Sequence, residues 1–96
     1  MLSREHFIFT IGYDGPVAVV DSQGARRYGT LSTVDLAKRG LFRAAWASAV
    51  FSGSAEEKAL VIEAYNKAAG ASYGAEDSLD RLFGIFPVTV KRLILL

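Results

Sequence analysis

The stretch Leu41 to Phe51, LFRAAWASAVF, constrains this chain more than any other, because only Arg43 and Ser48 in it are polar. At ~100° per residue, Leu41, Phe42, Ala45, Trp46, Ala49 and Val50 spread over one half of a helix. Ala44, Ala47 and Phe51 fall on the other half, with Arg43 and Ser48 at the borders. A helix that is apolar on both halves has to be packed on more than one side. A chain of 96 residues has a modest core to offer, so the second half points towards a partner. Trp46 is the expected core anchor. Ala44, Ala47 and Phe51 form the candidate contact face, where small residues let another backbone approach closely.

Ninety-six residues fit one domain, and residues 1–96 are read as a single α+β unit. Apolar residues make up 51% of the chain, which excludes a disordered segment. Cysteine is absent, so disulfides, thiolate metal sites and thiol catalysis are excluded, which suits a reducing compartment. The N-terminal run MLSREHFIFTIGYDG carries Arg4 and Glu5, is soon broken by Tyr13-Asp14-Gly15 and lacks a small-residue cleavage site. It reads as a strand, not a signal peptide. The longest uncharged run, Ala44 to Ala55, falls well short of the ~20 residues that a spanning helix needs. The expectation is a soluble, cytoplasmic protein without a membrane span.

The first thirty residues read as three strands. Phe7, Phe9, Ile11 and Tyr13 share one face by the period of two, and His6, Ile8, Thr10 and Gly12 share the other. Asp14-Gly15-Pro16 and Asp21 to Gly24 are turn signals, leaving Pro16–Asp21 and Ala25–Gly29 as the second and third strands of a meander. From Ser32 onward the spacing is helical. Ser32 or Thr33 caps a helix with Asp35 in its first turn, and Gly40 either ends it or sits inside a longer one. Ser54-Ala55-Glu56-Glu57 fits a capping box, opening a helix to Ala69 that Gly70 stops. A short helix over Glu76–Phe83 ends at Gly84, and Val88–Leu96 after Pro87 is a last strand. Apolar residues on both faces of the terminal strands place them centrally, paired with each other. The predicted architecture is a mostly antiparallel sheet of about four strands with helices on one face.

No chemistry stands out. His6 is the sole histidine, so multi-histidine metal ligation is excluded, and beside Arg4 and Glu5 it reads as a structural residue. Glu56-Glu57 and Glu76-Asp77 are neighbours pointing ~100° apart on a helix, which suits the positive helix end better than a shared-proton pair. Nucleophile and phosphate-loop motifs are missing, so no catalytic residue, metal or cofactor is expected.

Charge is uneven within a net +1. Arg26 to Arg43 holds five bases and one acid, and Ser54 to Leu82 holds six acids and three bases. Lys38 and Arg39 sit on a predicted helix, and Arg43, four residues after Arg39, would share the Arg39 face if the helix ran through Gly40. The eight residues Thr33 to Gly40, TVDLAKRG, resemble the opening helix and turn of helix-turn-helix regulators. That resemblance implies a recognition helix next, and Leu41 to Phe51 departs from it by presenting alanine and aromatics where polar side chains would face bases. The sequence pI of 8.1 also lies below the ~9 of basic binding domains. The expected function is therefore a non-enzymatic, homodimeric interaction or assembly module, with its contact face on the middle helix and an uncovered sheet face at His6, Ile8 and Thr10. A nucleic-acid-binding domain using Lys38, Arg39 and Arg43 is the alternative, followed by an enzyme without a recognisable motif.

Overall fold

Ser3 decides how the chain starts. In the structure, a computed structural model that describes residues 2–85 and 89–96, the Ser3 hydroxyl accepts the backbone N–H of His6 at 3.3 Å. This N-cap winds Arg4–Ile8 into α1, with Glu5 in the first turn where its charge opposes the helix dipole. The expected strand is thereby shortened to β1, Thr10–Asp14. Ile8 and Thr10, expected on an uncovered sheet face with His6, are instead buried.

The turn at Asp14-Gly15-Pro16 forms as expected, with Gly15 at φ +58°, and joins β1 to an antiparallel β2, Val17–Val20. A bulge between Thr10 and Gly12 turns Ile11 out towards solvent. The expected third strand is a helix, α2, over Ser22–Tyr28. Asp21 causes the change, because its carboxylate accepts the Gly24 N–H at 3.1 Å and caps a helix where a turn was expected. A Cβ added to Gly29 would stand 2.2 Å from the Ala25 carbonyl oxygen and 2.8 Å from the Glu5 Cβ. Glycine there lets the end of α2 approach α1.

Ser32 caps α3 (Thr33–Lys38), its hydroxyl accepting the Asp35 N–H at 3.2 Å. Gly40, at φ +75°, then separates α3 from α4 (Phe42–Ser52), which settles the choice left open at this glycine. Ser54 caps α5 (Ala55–Ala69), and Gly70 ends it in the left-handed conformation, both as expected. The short helix α6 covers only Asp80–Phe83 and stops at Gly84. Pro87 and Val88, expected to lead into the last strand, lie outside the described residues.

The last strand, β3 (Arg92–Leu95), runs parallel to β2 and not beside β1. The chain returns after a layer of helices, so it reaches the sheet in the direction of β2 instead of folding back on it. The sheet is three-stranded and mixed, in the order β1-β2-β3, where about four mostly antiparallel strands were expected. The α+β class is as read. β3 is an edge, and it is exposed along its whole length despite its apolar sequence.

The core forms around α4, which packs against α1, α3, α5 and α6. Trp46, Ile8, Leu36, Ile62, Leu79, Val20 and Val61 are its largest fully buried apolar side chains. Burying an Ile or Leu of this kind contributes about 1.5–3 kcal/mol. Alanines at 44, 45, 47 and 49 let neighbouring helices approach α4 from several sides. The demand of this segment for packing all round is met by its own chain from Ala44 to Ala49, while Phe51 at its end stays half exposed.

Candidate functional site

A line of polar groups crosses the helical layer. Arg4 donates from Nη1 to the Gly29 carbonyl at 2.7 Å, and from Nη2 to the Leu31 carbonyl at 2.6 Å and the Ser48 hydroxyl at 2.8 Å. Ser48 Oγ lies 2.7 Å from Thr33 Oγ1, and Thr33 donates to the Glu57 carboxylate. Because the Thr33 proton is committed to Glu57, Ser48 must donate to Thr33. One proton arrangement therefore satisfies the whole line from guanidinium to carboxylate. Ser52 Oγ, whose single proton has the Ala49 carbonyl at 3.0 Å and Glu57 at 3.2 Å as acceptors, itself accepts the Ser54 N–H, so Glu57 serves this line and not the return half of a capping box. Thr33 and Ser48 are both buried, and the line binds α1, α3, α4 and α5 together. Ser48 had read only as the polar border of an apolar helix.

The residues of the expected contact face part company. Ala44 and Ala47 are 6% and 1% exposed, covered by the helices around α4, and so offer no contact surface in the folded chain. Phe51 is 48% exposed at the end of α4, its ring 5.8 Å from that of Phe7. The larger apolar surface lies elsewhere, on β3, where Leu93, Ile94, Leu95 and Leu96 are all exposed. In the parallel register Leu93 and Leu95 stand beside Ala18 and Val20, on the side of the sheet that faces the helices. Ile94 stands beside Val19 on the other side. The apolar run on both faces suggested a central strand; its place at the edge leaves both faces open.

The basic residues are also redistributed. Lys38 and Arg39 end α3 while Arg43 begins α4, so they share no helix face. Arg43 is drawn inward, donating from Nε to the Phe83 carbonyl at 2.8 Å and thus satisfying the exposed end of α6. Loss of solvent lowers its pKa from the usual guanidinium value, with the Tyr13 phenol acting in the opposite sense. Burial in turn raises the Tyr13 phenol, against the pull of Arg43. Arg39 instead lies over the Tyr28 ring, 5.9 Å from its centroid, and Arg27 lies 6.0 Å from the same centroid. A strand would have sent Arg26 and Arg27 to opposite faces; on α2 they are helix neighbours, both exposed.

Trp46 Nε1 donates to Asp80 Oδ1 at 2.7 Å, fixing α6 against α4 at the wall of a cleft of about 310 Å³ that Glu76 and Asp77 also line. Tyr65 packs edge-on against Phe42 and Phe83, tying α5 to α4 and α6. Among the described residues no group of three or more His, Asp or Glu is placed to hold a metal ion. None of the described helices is long and apolar enough to cross a membrane. No family model, curated protein or solved structure matches the chain.

Proposed function

We propose that this chain is a protein-interaction module that pairs with a second copy of itself through the free edge of β3. The carrying observation is that Leu93, Ile94 and Leu95 occupy an edge strand and are exposed on both of its faces. Edge strands are ordinarily blunted by charge, proline, a bulge or a covering element. Here Lys91 and Arg92 stand only at the start, and the four residues after them carry no charge. Antiparallel self-pairing about a two-fold axis keeps the two copies of Arg92 at opposite ends of the joint. It also directs each Lys91 and Arg92 towards the far end of the partner's strand, where Glu5 and Arg26 together line a depression beside Leu95, so the joint rests on apolar contact and strand pairing more than on charge. Four residues of edge are less than the ~1,200 Å² of a stable interface, so the dimer is a weak one.

Light scattering on a sizing column across a hundredfold concentration range tests this reading. The wild-type chain is expected to move from about one chain mass to two, and the Leu93→Lys/Leu95→Lys variant to stay at one with an unchanged near-ultraviolet spectrum. A wild-type monomer throughout, or a double variant that still dimerises, removes the edge from consideration.

A second reading is favoured by Tyr28, which gathers Arg27 from α2 and Arg39 from α3 around one aromatic ring. With Arg26, which lines one depression with Arg27, this is a basic surface suited to a polyphosphate backbone, while Lys38 faces the groove between α3 and α5. Arg43, committed to Phe83, has no part in it.

A further inference from the structure

Arg43 combines three properties that its helix-capping role does not use. Among the described residues its only hydrogen bond runs from Nε to the Phe83 carbonyl, and no described group bonds either terminal nitrogen. The group set against its desolvation is the Tyr13 phenol, which is itself uncharged near neutral pH because burial raises its pKa, and among the described residues no carboxylate takes that part. It also lines a cleft of about 320 Å³ between β1 and the start of α4, whose other walls are apolar. A partly desolvated cation without an anion, at the wall of an apolar cleft, is complementary to a ligand that brings one negative charge and an apolar body.

We propose that this cleft binds a small apolar monocarboxylate, its carboxylate on the Arg43 guanidinium and its hydrocarbon or aromatic body against Ile8, Phe9, Ile11, Leu41 and Phe42. A guanidinium presents parallel N–H donors that match the two oxygens of a carboxylate, and the bond to Phe83 holds the group in place beforehand. One cation in an apolar setting argues against a dianionic phosphate, whose second charge would be buried unpaired. The volume lies at the small end of the ~300–1,000 Å³ of ligand pockets, which selects a compact acid over a long lipid chain. Gly40, at φ +75° with no atom within 4 Å of an added Cβ, forms an open lip to this cleft, so a ligand can enter without unfolding α3 or α4. The inference is independent of the β3 dimer.

The test is a titration of the full chain, followed by amide chemical shifts, with 4-phenylbutyrate and with its uncharged amide. Saturable shifts are expected at Ile11, Gly40 and Arg43, with the acid binding about ten- to a hundredfold more tightly than the amide. Arg43→Gln should abolish that preference. Because this variant also loses the bond to Phe83, Ile11→Glu provides a second reading. Ile11 is exposed, and a carboxylate at that wall should weaken the acid at least as strongly while leaving the fold intact. Equal affinity for acid and amide overturns the proposal. So do shifts confined to the groove between α3 and α5, where Lys38 and Lys67 offer competing charge, or the absence of saturable shifts with 4-phenylbutyrate.

Discussion

Thr33 and Ser48 carry more of the structure than their size suggests. Each hydroxyl both donates and accepts within the line from Arg4 to Glu57, so removing one leaves its buried neighbour with one of its two hydrogen bonds unmade. Thr33→Val, which keeps shape and loses the hydroxyl, is expected to cost about 1–3 kcal/mol, read as a lower urea midpoint at unchanged slope. Ser48→Ala should cost less, since Arg4 keeps its two carbonyl partners. The double variant should lose less than the sum of the two, because it removes both ends of the central bond at once. Strict additivity would mean that the hydroxyls act separately. Little of this was legible in the sequence. Ser32 and Ser54 were readable as caps because their partners lie three residues ahead. Ser48 sits 44 residues from Arg4, and only the assembled helices bring them together.

At the scale of elements, helices closed by local signals were legible and elements decided by a competition were not. α3, α5 and the stops at Gly70 and Gly84 follow from caps and left-handed glycines. α1 and α2 were missed because Ser3 and Asp21 serve equally as turn formers and as helix caps, and alternation in Phe7 to Phe9 looked decisive. That error mattered for charge. Reading Arg26 and Arg27 in a strand dispersed a basic surface that α2 and α3 gather around Tyr28. On the nucleic-acid reading, Arg27→Ala with Arg39→Ala should weaken binding of duplex DNA or RNA and reduce the salt slope by about two. Arg43→Ala should leave affinity unchanged, in contrast to the grouping with Lys38 and Arg39 drawn from sequence. Fluorescence anisotropy across a salt series separates these outcomes. An equal loss from Arg43→Ala, or no binding at low salt, would dismiss this surface.

For the whole molecule, the sequence conveyed that an apolar excess had to go somewhere but not where. The excess in Leu41 to Phe51 was legible, and its destination was inverted: α4 is enclosed by its own chain, while the terminal strand expected at the centre lies open at the edge. Periodicity reports how many faces of an element are apolar. It does not say which neighbours cover them, since that depends on which strand β3 joins and on which side. The consequence is a specific link between stability and association. A dimer formed through β3 binds only the folded chain, so mass action must stabilise the fold as concentration rises. Over a hundredfold increase above the dissociation constant, the wild-type melting temperature should climb by roughly 5 °C. The Leu93→Lys/Leu95→Lys variant should melt at one temperature throughout, close to the dilute wild type, because these side chains contribute little to the core. A variant that melts far below the dilute wild type would instead place β3 within the cooperative core, and the open edge would then be a structural element in its own right and not a contact surface.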